Sequence, residues 1–300
     1  MKNLTNARAL AALALLGAAA LLVGTGGRAD AQASARKPGR YAPVNGLRMY
    51  YEIRGTGRPL VLLHGALSNI QTDFGKVIPT LAKTRRVIAI EQQAHGRTSD
   101  VDRPLSTEQM ADDTAELLRQ LGIESADVLG YSMGAGIAMQ LAIRHPKLAR
   151  KLVLLEPAYT RAGFYPEVLE GIQKLKPEDL AGSPFQKAYA AMAPKPENWA
   201  TLVAKVQKGS WVERDSPLAA IESIKVPALI LIGDSDVIRP EHALELFRLL
   251  GGGVPGDLAG LPRSQLAVFP GTTHVTLVHR ADWLLSMVPA FLDASLPETK

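Results

Sequence analysis

The nine residues Val128-Leu129-Gly130-Tyr131-Ser132-Met133-Gly134-Ala135-Gly136 admit few folds. A strand-like run at 126–129 leads into them, and a helical pattern reaching about Arg144 leads out. Strand, Gly-x-Ser-x-Gly, helix is the layout of a nucleophile elbow, a turn tight enough to strain the serine backbone and hold its hydroxyl clear of the sheet. Gly130 and Gly134 fall where strand and helix pass too closely for a Cβ. Gly136 and Ala138 continue a small face that lets the helix approach. The first amides of that helix point back at the serine, with the positive end of the helix dipole behind them. The five-residue motif alone arises by chance in many chains, so the rest of the chain has to supply the partners a serine needs.

Around the elbow, apolar strand-like runs alternate with helical patterns. Residues 41–54 read as a hairpin turning at Asn45-Gly46, and the runs 59–63 and 86–90 are apolar throughout, as in strands covered on both faces. A helix is expected over 73–81. Ser106-Thr107-Glu108-Gln109 fits a capping box ahead of a helix to Leu121. Further strands are expected at 151–155, 228–232 and 265–269, and helices from Pro240 to Leu250 and from Ala281 to Ala294. The alternation predicts an α/β fold: a mostly parallel, doubly wound sheet with helices on both faces. Ligands collect at the carboxyl ends of the strands in such sheets. Ser132, Asp236, His274 and the His64-Gly65 turn all fall at such ends.

A serine hydroxyl needs a base within hydrogen-bond reach, and the base needs a carboxylate to hold its tautomer. With the elbow, the His64-Gly65-Ala66-Leu67 turn, the Gly233-Asp234-Ser235-Asp236 turn and the late Gly271-Thr272-Thr273-His274 in this order, residues 41–294 resemble the α/β-hydrolase superfamily. The resemblance implies Ser132 as nucleophile, His274 as general base and then acid, and Asp236 as orienting acid. It also implies an oxyanion hole from the amides of Ala66 and Met133. His64 and Gly65 would line or brace the substrate site. The stretch from Glu91 to Thr98 resembles the family's Asp-x-x-Gly-x-Gly-x-Ser turn, with Glu91, Ala94 and Thr98 as departures. Asp234 is the rival of Asp236, expected rather to bond its own loop, and His279 is the rival of His274, expected at the surface. His145 reads as a cation at a helix C-terminus, His242 as a surface residue, and His95 as either pocket rim or turn.

The core is expected over 41–157 and 225–300, with 158–224 inserted as a helical lid broken by prolines. That segment carries seven of the sixteen aromatic residues. Most would serve its own packing, while Tyr159 and Phe164, nearest the strand end, would face the serine. An apolar lid favours a small or medium, largely apolar ester.

Residues 1–31 have the three parts of a secretory signal peptide: a basic start at Lys2 and Arg8, a charge-free run over 9–23, and Ala29-Asp30-Ala31 as cleavage site. The run falls short of the ~20 apolar residues that span a bilayer. Export to the periplasm or medium follows, with 32–40 as a flexible leader. Loss of Lys2, Arg8, Arg28 and Asp30 would lower the net charge from +5 to +3. The remaining basic residues are scattered, unlike a nucleic-acid footprint. Cysteine is absent, which excludes disulfides and a thiol nucleophile, and no His or carboxylate spacing suggests a metal.

The expectation is therefore an exported, cofactor-independent carboxylic ester hydrolase using a Ser-His-Asp triad through an acyl-enzyme. Its rivals are a carbon–carbon bond hydrolase or a perhydrolase on the same triad, or a non-catalytic binding protein of the same fold. A dehalogenase would carry Asp in place of Ser132.

Overall fold

A computed structural model describes residues 39–213 and 215–295. The expected signal peptide and most of the leader lie outside the described residues. Eight strands form one sheet: β1 (Arg40–Val44), β2 (Leu47–Arg54), β3 (Arg58–Leu63), β4 (Arg85–Ile90), β5 (Ala126–Tyr131), β6 (Ala149–Leu155), β7 (Ala228–Gly233) and β8 (Gln265–Phe269). Their spatial order is β1-β2-β4-β3-β5-β6-β7-β8. β1, β2 and β4 pair antiparallel and all later neighbours pair parallel. The first strand begins at Arg40, one residue inside the expected leader.

The uniform apolar runs serve two cores because successive side chains leave a strand on opposite faces. Val61 and Leu63 of β3, with Ile230 and Ile232 of β7, pack on one face. Leu60, Leu62, Leu229 and Leu231 pack on the other. The helix Met133–Arg144 covers the first face through Ile137, Ala138 and Leu141. The closing helix Ala281–Asp293 covers the second through Leu284, Val288 and Phe291.

The order reverses around β3: the chain leaves it for β4 on one side and returns through β5 on the other. The carboxyl ends of β3 and β5 thus frame the crevice where ligands bind in sheets of this kind.

Two local expectations need correction. The helix expected over 73–81 is two short ones, Ile70–Phe74 and Ile78–Leu81, separated by residues 75–77. The capping box at Ser106 is half formed. Its hydroxyl accepts the Gln109 amide, whereas the Gln109 side chain turns down the helix to Asp113.

Between β6 and β7 the chain forms a helical insertion, with helices Pro166–Lys174, Pro184–Met192 and Trp199–Gln207 as its longer members. Prolines open the first two, where a missing N–H is no loss. The insertion is tied to the body where Lys205 Nζ reaches the carbonyls of Val101 and Arg103.

Candidate active site

Ser132 links β5 to its helix at φ 52° and ψ −114°, outside the regions a side chain ordinarily allows. The turn is held from both sides: the Ser132 amide donates to Leu155 O at 2.9 Å, and the Gly136 amide donates to Ser132 O at 3.1 Å. A Cβ on Gly134 would lie 2.0 Å from Leu63 O, and one on Gly130 would lie 2.1 Å from Gly134 O. Neither backbone can withdraw without pulling the elbow apart, so glycine is required at both positions.

His274 bridges two groups. Its Nδ1 lies 2.8 Å from Asp236 Oδ1 and its Nε2 lies 2.8 Å from Ser132 Oγ. A carboxylate can only accept, so Nδ1 carries the proton and Nε2 is left to accept from the serine hydroxyl. Asp236 is buried, and its Oδ1 also takes the amide of Ile238 at 2.8 Å. Asp234 is exposed and bonds its own loop, accepting the Gly271 amide at 3.0 Å. Tyr131 fixes the histidine from below, its hydroxyl donating to His274 O at 2.8 Å.

The turn after β3 is braced from within. Asp73 Oδ2 accepts the Gly65 amide at 2.9 Å and the Ser68 hydroxyl at 2.5 Å. Burial pushes Asp73 up to about 6 although these donors oppose it. Fully buried His64 donates from Nδ1 to Gly65 O at 2.7 Å and accepts the Gln92 amide at Nε2, 3.0 Å away. Burial first, and then His95 beside it, hold it down at about 3, so it is neutral. Among the described residues the amides of Ala66 and Met133 have no hydrogen-bond acceptor. Ala66 borders the cavity over Ser132.

In the turn after β4, Ala94 and Gly96 take φ of 66° and 54°. The Glu91 carboxylate fills the space beneath them, 2.3 Å from where a Gly96 Cβ would stand. The longer acid is thus accommodated by closing on the Arg97 amide and guanidinium. His95 belongs to this turn, fully buried against His64, and does not reach the cavity.

Above Ser132 lies a cavity of about 390 Å³, within the range of small-molecule sites. Phe164, Ile172, Phe185, Val206 and Trp211 of the insertion form its apolar wall, with Val275 and Val278 opposite. Ser68, Thr72, Asp73 and His279 give it one polar end. Three expectations are corrected. His64 and Gly65 brace the loop, as expected, but do not line the cavity. Tyr159 lies away from it, stacked on His242 at 4.2 Å between centroids and bordering a separate crevice. His242 itself is buried rather than at the surface, and its Nε2 accepts the Tyr159 amide at 3.2 Å. His145 sits at the end of its helix, 2.8 Å from Asp112.

One neighbour of the histidine escaped the sequence reading. Glu156, the residue after β6, is buried at φ 53° with Oε2 3.4 Å from His274 Nδ1. Burial, then the charge and contact of Asp236, push its carboxyl well above the usual range. A charged residue closing an apolar strand run was the available signal. Among the described residues Glu156, Asp236 and His274 also form the one grouping of metal-ligand type, with donor atoms within 4.8 Å. Since His274 Nδ1 holds a proton against Asp236, the set reads as an acid–base relay.

Residues 58–191 match a family model described as the alpha/beta hydrolase fold. The chain is similar to a 2-hydroxymuconate semialdehyde hydrolase from Pseudomonas sp. (strain CF600), 28% identical and covering 85% of this chain and 93% of that one. It is also similar to a pimeloyl-[acyl-carrier protein] methyl ester esterase from Yersinia enterocolitica, 27% identical over 83% and 98% of the two chains. The solved enol-lactonase from Burkholderia xenovorans LB400 shares the fold, with a TM-score of 0.65 at 22% identity over 85% of this chain and 100% of that one.

Proposed function

We propose, from the premise that this chain belongs to the α/β-hydrolase superfamily and is an α/β hydrolase, that it is an exported serine hydrolase cleaving carboxylic esters through an acyl-enzyme without a cofactor. The observation that carries this reading is the unbroken relay from Asp236 through His274 to Ser132, 2.8 Å at each step, ending on a strained turn beneath an apolar cavity.

In this mechanism Ser132 Oγ attacks the ester carbonyl carbon as its proton passes to His274 Nε2. The carbonyl oxygen becomes an oxyanion that accepts from the Ala66 and Met133 amides, which stabilise charge present only in the transition state. Collapse expels the alcohol, protonated by His274. A water then gives a proton to the same nitrogen and attacks the acyl-enzyme, and Ser132 leaves with its hydroxyl restored. Residues 158–224 act as the lid, and the apolar wall they contribute suits a small or medium, largely apolar ester.

The test is a fluorophosphonate probe followed by an ester panel on the same preparation. The reading predicts one adduct per chain on Ser132 and turnover of short to medium acyl esters; a chain that neither labels nor turns over is a binding protein. Export rests on the pattern in residues 1–31. It is checked by the mass of the protein recovered outside the cytoplasm, which should lack them.

Similarity to the semialdehyde hydrolase favours a second reading, hydrolysis of a carbon–carbon bond on the same three residues. A kcat/KM for a semialdehyde substrate far above that for every ester would select it.

A further inference from the structure

We propose that Glu156 is the protonated partner of Asp236: its carboxyl O–H donates to the second oxygen of Asp236, so that one proton and one negative charge are held between two carboxyls behind His274. The inference rests on the reading of Ser132 and His274 as nucleophile and base, and makes Glu156 a positioning residue that acts through Asp236.

The placement is deliberate. Glu156 follows β6 directly, and its amide donates to Leu231 O at 2.7 Å, which seats it between the ends of β6 and β7. It holds φ 53°, a left-handed conformation that is unfavourable for a residue with a long side chain. That strain keeps a buried carboxyl beside the base.

Counting donors gives the proton. Asp236 Oδ1 has two, the His274 imidazole and the Ile238 amide. Asp236 Oδ2 and both oxygens of Glu156 are buried, and no N–H or O–H in the described structure serves them. Two ionised carboxylates here would leave three buried acceptors unserved and two like charges in contact, both strongly unfavourable for buried groups. A single proton turns one oxygen into a donor and removes one charge. The groups that face the pair are His274, the Tyr131 phenol and, beyond it, Asp73. Among the described residues no lysine or arginine pairs with either carboxyl. Burial and Asp236 both push the Glu156 carboxyl upward, and with no cation to oppose them the proton stays.

This arrangement serves catalysis in two ways. When the Ser132 proton moves to Nε2 and the Oγ–carbon bond forms, the imidazolium meets one negative charge spread over two carboxyls, and the shared proton stays on the pair. The donated bond also fixes the rotation of Asp236. With Oε2 at 3.4 Å from Nδ1, Glu156 is in addition a reserve acceptor. If Asp236 cannot ionise, loss of the Glu156 proton places a carboxylate against Nδ1–H.

The experiment measures kcat and KM of purified enzyme on p-nitrophenyl butyrate against pH for wild type, Glu156→Gln, Asp236→Asn and the double variant, with Ser132 labelling and Tm for each. An infrared difference spectrum between wild type and Glu156→Gln is recorded alongside. The proposal expects a protonated-carboxyl band in wild type that the glutamine variant lacks. Glu156→Gln should lower kcat by roughly 3- to 10-fold with KM held, and leave the acid limb of kcat/KM within about 0.3 pH unit, because no charge was removed. A limb moved down by about a unit, or no such band, overturns the shared proton. Asp236→Asn should regain at least ~10-fold in rate as pH rises and Glu156 ionises, and the double variant should lose that recovery. A recovery unchanged in the double variant overturns the reserve role. Should wild type turn over no ester, the band still reports the proton, so failure of the functional reading is told apart from failure of this one.

Discussion

Asp236 and His274 meet through one 2.8 Å hydrogen bond, made possible because β7 and β8 pair in parallel and deliver both exit loops to the same sheet end. Asp234, two residues earlier, spends its carboxylate on the Gly271 amide. The two aspartates therefore separate cleanly by substitution. Asp236→Asn should lower kcat/KM by about 10²-fold near neutral pH, and Asp234→Asn by less than about 3-fold. Steady-state kinetics on one ester measures both, and the reverse order would move the orienting role to Asp234.

Ser132→Ala should lower turnover by at least ~10⁴-fold and abolish fluorophosphonate labelling. Its Tm should stay within a few degrees of wild type, because alanine inherits the same strained turn and loses one hydrogen bond. Labelling that survives would place the nucleophile elsewhere.

Phe185 is half-buried in the apolar wall of the cavity. Truncating it to alanine enlarges the cavity on the side of the insertion. Phe185→Ala should raise kcat/KM for longer acyl esters relative to butyrate by roughly 10-fold, the worth of one or two methylenes in an apolar pocket. An acyl-length profile across the ester panel reads this, and an unchanged profile would show that the acyl chain lies elsewhere.

The centre of the sheet was legible because β3, β5 and β7 end in short apolar runs that are buried throughout and bounded by polar or glycine turns, as expected of strands covered on both faces. The elbow was legible because its glycines are imposed by neighbouring backbone at 2.0–2.1 Å, a local constraint written in local sequence. Ser132, Asp236 and His274 each follow an expected strand, which was enough to expect the three side chains at one sheet end. What escaped depends on register and on side-chain direction. Glu156 approaches Asp236 because Leu155 pairs with Leu231 across β6 and β7, which no spacing reveals. His242 and Tyr159 were misplaced because a sequence pattern does not say which neighbour covers a given side chain. They cover each other. The half-formed capping box at Ser106 fails for a similar reason, since Asp113 one turn on competes for Gln109.

Lys151, near the start of β6, is almost wholly buried. Its ammonium donates to the carbonyls of Phe291 at 2.8 Å and Leu292 at 3.3 Å. It thereby serves the carbonyls that the closing helix leaves unpaired at its C-terminus, where a cation also suits the dipole. Lys151→Met should cost about 1–3 kcal/mol, since the Phe291 carbonyl stays buried without a donor while Arg150 still serves Leu292 O at 3.0 Å. Urea unfolding measures the loss. The kcat per labelled Ser132 should be unchanged, because the lysine stands at the opposite end of β6 from the elbow.

His242 gives the pH dependence a definite sign. Burial holds it down at about 4 from a usual 6.5. The folded protein therefore keeps it neutral where the unfolded chain protonates it, and protons bind preferentially to the unfolded state between those values. Stability from this residue is complete above about pH 6.5 and falls on acidification until about pH 4, by roughly 3 kcal/mol over the whole interval. Asp73 and Glu91, raised by burial to about 6 and about 7, act oppositely: folding binds their protons, so they favour the folded state as pH falls. A wild-type profile mixes both signs, and only a difference isolates the histidine. His242→Gln keeps a side-chain acceptor for the Tyr159 amide and cannot titrate. It should be less stable than wild type by about 1–2 kcal/mol near pH 7.5, from lost stacking on Tyr159. Near pH 5 that deficit should vanish or reverse, a change of about 2 kcal/mol, because wild type alone then bears the unfavourable protonation linkage. Urea unfolding of both proteins at the two pH values gives the difference directly. A deficit that stays constant would mean His242 titrates alike in the folded and unfolded chains, and that its burial carries no proton linkage.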